Sequence, residues 1–225
     1  MIAQNQTQAI QDYLKVIYEL VGQERRASTN QIAERLRVTP ASVTEMIRKL
    51  AETEPPLVDY QKHHGVMLTP AGERIALEIV RHHRLLEMFL YQMLGYSWDE
   101  VHTEADRLEH VISEVLEERI ALALGDPQLD PHGDPIPSRE LEMPVTHHLP
   151  LAELRPGCQG VIRRVQSSDH TLLRYLSELG LGLNTRLAVS AYSPVDENLS
   201  IQVIGREGTL VLGSKISRAI LVEVE

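Results

Sequence analysis

Ile10, Leu14, Ile17 and Val21, with Tyr13 and Tyr18, recur at three- and four-residue spacing, which predicts an amphipathic helix near the start of the chain. A short second helix is expected after Ser28, Thr29 and Asn30, with Ile32, Ala33 and Leu36 on one face. Thr39 before Pro40 reads as an N-cap followed by proline at the first helical position. The helix it opens turns Val43, Met46, Ile47 and Leu50 inward and leaves Ser42, Thr44, Arg48 and Lys49 toward solvent. Two short strand-like runs follow at 57–60 and 66–68, with His63, His64 and Gly65 at the turn between them. Thr69 and Pro70 then open the next helix.

Helix, short helix, turn, helix and hairpin in this order make a winged helix-turn-helix, so double-stranded operator DNA is the expected partner. Its third helix fits the major groove and its hairpin reaches the neighbouring backbone. Pro40, Ala41, Ser42 and Thr44 are the candidates for groove contact, because small side chains permit close approach and methyl contacts to thymine. Arg48 and Lys49 are assigned to phosphates, and His63 and His64 to phosphate or solvent on the wing. Glu45 either accepts from cytosine or serves its own helix.

Residues 73–124 read as two long helices parted near 95–98. The first carries Ile75, Ile79, Leu86, Phe89, Leu90 and Met93; the second carries Val101, Ala105, Leu108, Val111, Ile112, Val115 and Leu116. Helices this apolar beside a small DNA-reading module are expected to bury one another and a symmetry mate, giving a homodimer that matches a palindromic operator. From Gly125 the pattern breaks: Asp–Pro pairs at 126–127, 130–131 and 134–135 forbid long regular structure. Strand-like runs return at 160–165, 186–191, 200–203, 209–212 and 219–224, with one helix at 171–179, a pattern that suits a small, partly open β-barrel. The expected class is therefore α+β. The expected domains are a DNA-binding domain at 1–72, an all-helical metal-binding and dimerisation domain at 73–140, a linker at 141–156 and the barrel at 157–225.

Composition narrows the partners. The chain has 225 residues and a net charge of −10, which argues against nucleic-acid binding in an unassisted state, since a basic surface supplies most of such affinity. Aromatic residues are only 4%, too few for base-stacking platforms. No apolar run reaches the roughly 20 residues that span a bilayer, so no membrane partner is expected. The polar stretch 1–10 lacks the basic-then-apolar layout of a secretory signal. Cys158 is the one cysteine, which excludes an intrachain disulfide and a thiolate-rich zinc site. A cytoplasmic home is expected.

The charge deficit is offset by a set of candidate metal ligands. On a helix, His102, Asp106, Glu109 and His110 project within an arc of roughly 100° beside the apolar stripe. His83 and Glu87 stand four apart on the preceding helix, and Asp12 lies near the start of the first. Carboxylates crowded at low dielectric repel unless protonated or bridged by a divalent cation. Asp106, Glu109 and His110 alone could equally be a solvated helix face; the His83–Glu87 pair tips the reading to metal. A metallohydrolase is disfavoured, because the chain carries no HExxH motif, no nucleophile beside a base and no glycine-rich phosphate loop. No enzyme activity and no small-molecule substrate are expected.

Several stretches together resemble the metal-dependent repressors of the diphtheria toxin repressor and manganese transport regulator family: DYLKVIYEL at 12–20, IAERL at 32–36, LTPAG at 68–72, HRLLE at 83–87 and EADRLEH at 104–110. The last segment resembles the FeoA-like barrel of longer members, also found alone in ferrous-iron transport accessory proteins. The resemblance implies a primary regulatory metal site on Asp12, Asp106, Glu109 and His110. It implies a second on His83, Glu87 and His102, completed by Asp130 and His132 or by Asp169 or His170 from the barrel, hence two sites per subunit. His132 could instead be a turn histidine, and Asp169 and His170 could simply cap the helix at 171–179. Iron-responsive members carry methionine and cysteine where this chain has Asp12 and Asp106; manganese-responsive members carry carboxylates, as here. Mn²⁺ is therefore the implied corepressor, Fe²⁺ the alternative, and repression of metal-uptake genes the implied function. One departure is Lys15, where the manganese branch often has glutamate, which bears on that branch's bridged two-metal geometry.

Overall fold

The computed structural model describes residues 7–22 and 26–225, so the first six residues of the polar N-terminal stretch lie outside it. The chain forms two compact units. One comprises the described residues up to His83, with 106–119 and 137–142; the other comprises 84–105, 120–136 and 143–225.

In the first unit, α1 (Gln8–Val21), α2 (Thr29–Leu36) and α3 (Pro40–Ala51) precede a hairpin of β1 (Val58–Gln61) and β2 (Gly65–Leu68). Ser28 caps α2 through a reciprocal box with Gln31, and the Thr39 side chain accepts from the Ser42 amide while Pro40 occupies the first turn of α3. Ile10, Leu14 and Ile17 of α1 share one core with Ile32, Val43, Ile47, Leu50 and Val66. The strands pair antiparallel from Val58–Leu68 to Gln61–Gly65, and Ala27 bridges to Val66 as a third short rung. The winged helix-turn-helix is thus present as expected.

Helix α4 (Pro70–Leu94) starts against this core. Gly72 is required there, because a Cβ on it would fall 2.0 Å from the Leu57 carbonyl oxygen. α4 belongs to the first unit as far as His83 and to the second from Arg84 onward.

The second long helix expected from the sequence is instead two. α5 (Val101–Leu108) ends, a turn follows, and α6 (Glu114–Ala123) begins. Glu109 and His110 therefore sit in the turn and not on a continuous helix face. The turn is held in place by His82, whose Nδ1 lies 3.1 Å from the Glu109 carbonyl oxygen.

In the second unit, β3 (Leu149–Pro150), β4 (Gln159–Val165), β5 (Arg186–Tyr192), β6 (Leu199–Val203), β7 (Leu210–Leu212) and β8 (Ile220–Val224) form a six-stranded antiparallel sheet in the order β3-β8-β4-β5-β6-β7. It surrounds a core of Leu151, Ile162, Leu173, Leu176, Leu187, Leu199, Ile201 and Val222. Two short helices accompany the strands, α7 (His170–Leu179) and α8 (Ser214–Ala219). Leu149 and Pro150 lie inside the stretch expected to be a linker, yet they pair with Val222 and Leu221. The proline-rich stretch before them forms no long regular element: Leu129 and Pro135 bridge antiparallel around a turn at Asp130–Gly133, and Asp130, Pro131, His132 and Ile136 are buried.

Candidate metal centre and nucleic-acid interface

In the first unit, α1 presents Gln11, Asp12 and Lys15 on neighbouring turns, and the α5–α6 turn presents Glu109 and His110 to them. His110 Nε2 lies 2.9 Å from Asp12 Oδ1 and 3.2 Å from Glu109 Oε1. The other ring nitrogen, Nδ1, is 2.6 Å from Gln11 Oε1. If Nδ1–H donates to Gln11, the Nε2 lone pair faces two carboxylate oxygens, an arrangement that calls for a proton or a metal cation at that point. Ligand atoms of Asp12, Glu109 and His110 all lie within 4.8 Å of one another. Two hard oxygens and an imidazole fit a divalent cation, so the residues present suit the group the site calls for.

Asp106, expected as a fourth ligand, is engaged on the far side of Glu109. Its Oδ1 is 3.1 Å from Lys15 Nζ and 3.3 Å from His83 Nδ1. Lys15 also donates to both Glu109 oxygens, at 2.7 and 3.0 Å, and His83 Nδ1 is 2.5 Å from Glu109 Oε2. Burial opposes the charge on Glu109, but the His83 hydrogen bond and the Lys15 ammonium outweigh it and hold the carboxyl at about 2. Burial likewise works against a charged Lys15, yet Glu109, Asp106 and Glu19 together raise its pKa.

Beside this cluster Arg81 donates to Glu117 at 2.5 Å, and His82 Nε2 lies 3.1 Å from the other Glu117 oxygen. Glu78, His82 and Glu114 also come within ligand distance of one another. None of these residues, nor Gln11 and Lys15, was singled out by the sequence as part of a ligand set. The signal that could have found Gln11 and Lys15 is their spacing from Asp12 on α1, since residues one and three positions away flank the same helix face.

The second unit holds another cluster. Glu87, Asp130 and His132 are all buried, and their ligand atoms fall within 4.8 Å of one another. His132 Nδ1 is 3.9 Å from Glu87 Oε2 and 3.8 Å from Asp130 Oδ2, while Nε2 is 2.7 Å from the Trp98 carbonyl oxygen. Donation from Nε2–H to that carbonyl leaves the Nδ1 lone pair facing the carboxylates. Asp130 Oδ1 accepts the backbone amides of His132 and Asp134 at 2.7 and 2.9 Å, which aims its other oxygen at His132. Burial pushes the Asp130 carboxyl up to about 7. Burial alone would lower His132, but Asp130 and Glu87 lift it to about 9. His102 Nδ1 lies 3.1 Å from Glu87 Oε1.

Asp169 takes the capping role: its side chain accepts from the amides of Thr171 and Leu172 at the start of α7. His170 is engaged with the Asp99 carbonyl oxygen and lies 3.0 Å from Thr103 Oγ1.

The face expected to read DNA is open. Pro40, Ala41, Ser42, Glu45, Arg48 and Lys49 are exposed on α3, and His63 is exposed at the tip of the hairpin. A depression of about 560 Å³ is lined by Ala41, Thr44, Glu45, Arg48, Lys49 and Glu52. Thr44 spends its hydroxyl on the Pro40 carbonyl oxygen at 2.9 Å, so its methyl is what it can offer outward.

Comparison with known proteins agrees with this division of labour. Residues 6–66 match the iron-dependent repressor N-terminal DNA-binding domain, residues 69–138 the iron-dependent repressor metal-binding and dimerisation domain, and residues 149–224 the FeoA domain. The chain is 30% identical over 223 residues to the iron-dependent repressor IdeR of Mycobacterium leprae, covering 94% of this chain and 95% of that protein. It is 37% identical over 107 residues to the transcriptional regulator MntR of Geobacillus kaustophilus, covering 48% and 74%. Among solved structures, a manganese-dependent transcriptional repressor in complex with manganese superposes with a TM-score of 0.86 at 42% identity, covering 96% of this chain and 99% of that one. These relatives are transcriptional regulators, two of them named as metal-dependent repressors. Among the described residues no helix is long and apolar enough to cross a membrane.

Proposed function

The chain belongs to the iron-dependent repressor family, whose members are metal-dependent, DNA-binding transcriptional repressors, and we propose that it is a manganese-responsive one. In this reading the chain works as a homodimer that grips its operator when loaded and represses metal-uptake genes. The observation that carries it is the sulfur-free donor set of Asp12, Glu109 and His110. Mn²⁺ binds weakest among the first-row divalent ions, so a site for it depends on hard oxygen ligands and geometry, whereas sulfur would favour Fe²⁺ or Zn²⁺. The near full-length likeness to IdeR keeps Fe²⁺ as the second reading.

A bound divalent ion supplies positive charge that draws the three donors together. Asp12 and Glu109 would bring oxygen, His110 its Nε2, and Gln11 would fix the ring. Asp12 rides on α1, and α1 shares its core with α3. Holding α1 to the α5–α6 turn therefore sets the attitude of the reading helix, and differential affinity for that attitude is the coupling between metal and DNA. Val111, Val115 and Leu116 are 74%, 62% and 46% exposed beside the same turn, an apolar face suited to a second copy. Glu87, Asp130 and His132, with His102 beside Glu87, make up the second donor set.

Operator retardation under anaerobic, reducing conditions tests this. Binding should require metal, respond to Mn²⁺, and vanish in Asp12→Ala while the dimer persists. Equal retardation with and without chelator would sink the metal dependence. Activation by Fe²⁺ at far lower free concentration than Mn²⁺ would sink the manganese assignment.

A further inference from the structure

The Glu109 carboxylate faces two positions at once. Toward one of them its Oε1 lies 3.2 Å from His110 Nε2, in the donor set assigned above. Toward the other stands Lys15, whose ammonium is 2.7 and 3.0 Å from the Glu109 oxygens, 3.1 Å from Asp106 Oδ1 and 3.1 Å from His83 Nδ1. These groups also crowd each other: His83 Nδ1 stands 2.5 Å from Glu109 Oε2, to which it donates, and 3.3 Å from Asp106 Oδ1. Two carboxylates and an imidazole converging on one point are a divalent-cation donor set, and here a tethered monovalent cation fills its centre. The Lys15 side chain is only 11% exposed, so bulk water does not screen the arrangement.

We propose that the Lys15 ammonium is a built-in substitute for a second divalent ion, so that this cluster accepts one metal ion where its donors could hold two. The inference rests on the reading of Asp12, Glu109 and His110 as the first ion's site. Removing the ammonium while keeping the side chain's bulk frees Asp106, Glu109 and His83 for a second ion, and Glu109, with one oxygen toward each position, would bridge the pair. A charged substitute keeps the position filled.

Metal content and the electron paramagnetic resonance of bound Mn²⁺ test this in the full-length protein, purified with Mn²⁺ present. Wild type and Lys15→Arg should bind the same number of ions and give no exchange-coupled signal. Lys15→Met should bind one more per subunit, with a spin-coupled pair spectrum. Lys15→Gln, more easily hydrated if the apolar replacement does not fold, should do the same. An unchanged count and uncoupled spectrum in whichever neutral variant folds would overturn the proposal. The underlying site is tested separately, since Asp12→Ala should lose one ion from the wild-type count. If it loses none, the site reading fails whatever Lys15 does.

Discussion

Gln11 and His110, 99 residues apart in sequence, meet at 2.6 Å with the amide oxygen against the ring Nδ1. Gln11 is 3% exposed, so this contact fixes both the orientation and the tautomer of the imidazole. Its Nε2 is thereby turned to Asp12 and Glu109. Outer partners of metal-ligating histidines typically change affinity about 10–100-fold when lost. Gln11→Ala should weaken Mn²⁺ binding by about that factor, read by isothermal calorimetry, and shift the metal needed for operator retardation equally. Unaltered affinity in the folded variant would show that the ring is oriented by other contacts.

Gly133 makes a second prediction. Its φ is +85°, and a Cβ on it would lie 2.0 Å from the Arg163 carbonyl oxygen on β4, which leaves no room for any side chain. The next backbone contact, from the Val165 amide to the His132 carbonyl oxygen at 2.8 Å, shows how closely this turn lies on the sheet. Gly133→Ala should therefore lift residues 130–134 away from β4 and cost on the order of 1–3 kcal/mol. Because Asp130 and His132 are in that stretch, metal content should fall by the second ion alone. Thermal denaturation and metal analysis of the same samples check both halves.

A third prediction concerns pH. With Asp130 raised to about 7 and His132 to about 9, the pair holds protons at neutral pH that a bound cation must displace. Affinity at Glu87, Asp130 and His132 should climb from pH 6 toward pH 9 and level off above, by at most about tenfold per unit for each proton released. Calorimetry in buffers of different ionisation enthalpy should show proton release that falls in His132→Ala to what the Asp130 carboxyl alone sheds. In metal-free protein the raised His132 contributes stability that is complete below its unfolded value near 6.5 and lost as pH rises through about 9. Glu109, depressed to about 2, contributes stability present above its ordinary 4.5 and lost as pH falls toward 2.

Local chemistry made much of this legible. Thr39 before Pro40 marked the start of the reading helix because a cap and a proline are independent signals for the same boundary. The α3 core positions Val43, Ile47 and Leu50 followed from their 3.6-residue period. The break after Leu108 did not, since the apolar stripe of Val101, Ala105, Leu108 and Ile112 runs on unbroken in sequence. What interrupts the helix is tertiary, including the contact of the turn with His82. Lys15 was visible only as a departure from a family pattern. Spacing places it beside Asp12, but its role comes from the Asp106 and Glu109 carboxylates that accept from it, more than 90 residues away in sequence.

The last prediction separates positioning from reading on α3. Arg48 and Lys49 are exposed in its last turns, and no base-edge geometry is implied by flexible cations so placed. As phosphate contacts they should act on every sequence alike, so Arg48→Ala should weaken metal-loaded binding to operator and to random duplex by similar factors and lower the salt slope by about 1. Thr44 should behave differently. Its hydroxyl is held by the Pro40 carbonyl oxygen at 2.9 Å, so only its methyl faces outward. Thr44→Val keeps an outward methyl and should leave operator affinity within about threefold, whereas Thr44→Ser removes it and should cost on the order of 1 kcal/mol on the operator with little change on random duplex. Fluorescence anisotropy titrations at several salt concentrations measure all three variants. A serine variant that discriminates as well as wild type would remove Thr44 from the reading surface and leave Ala41 and Ser42 to carry it.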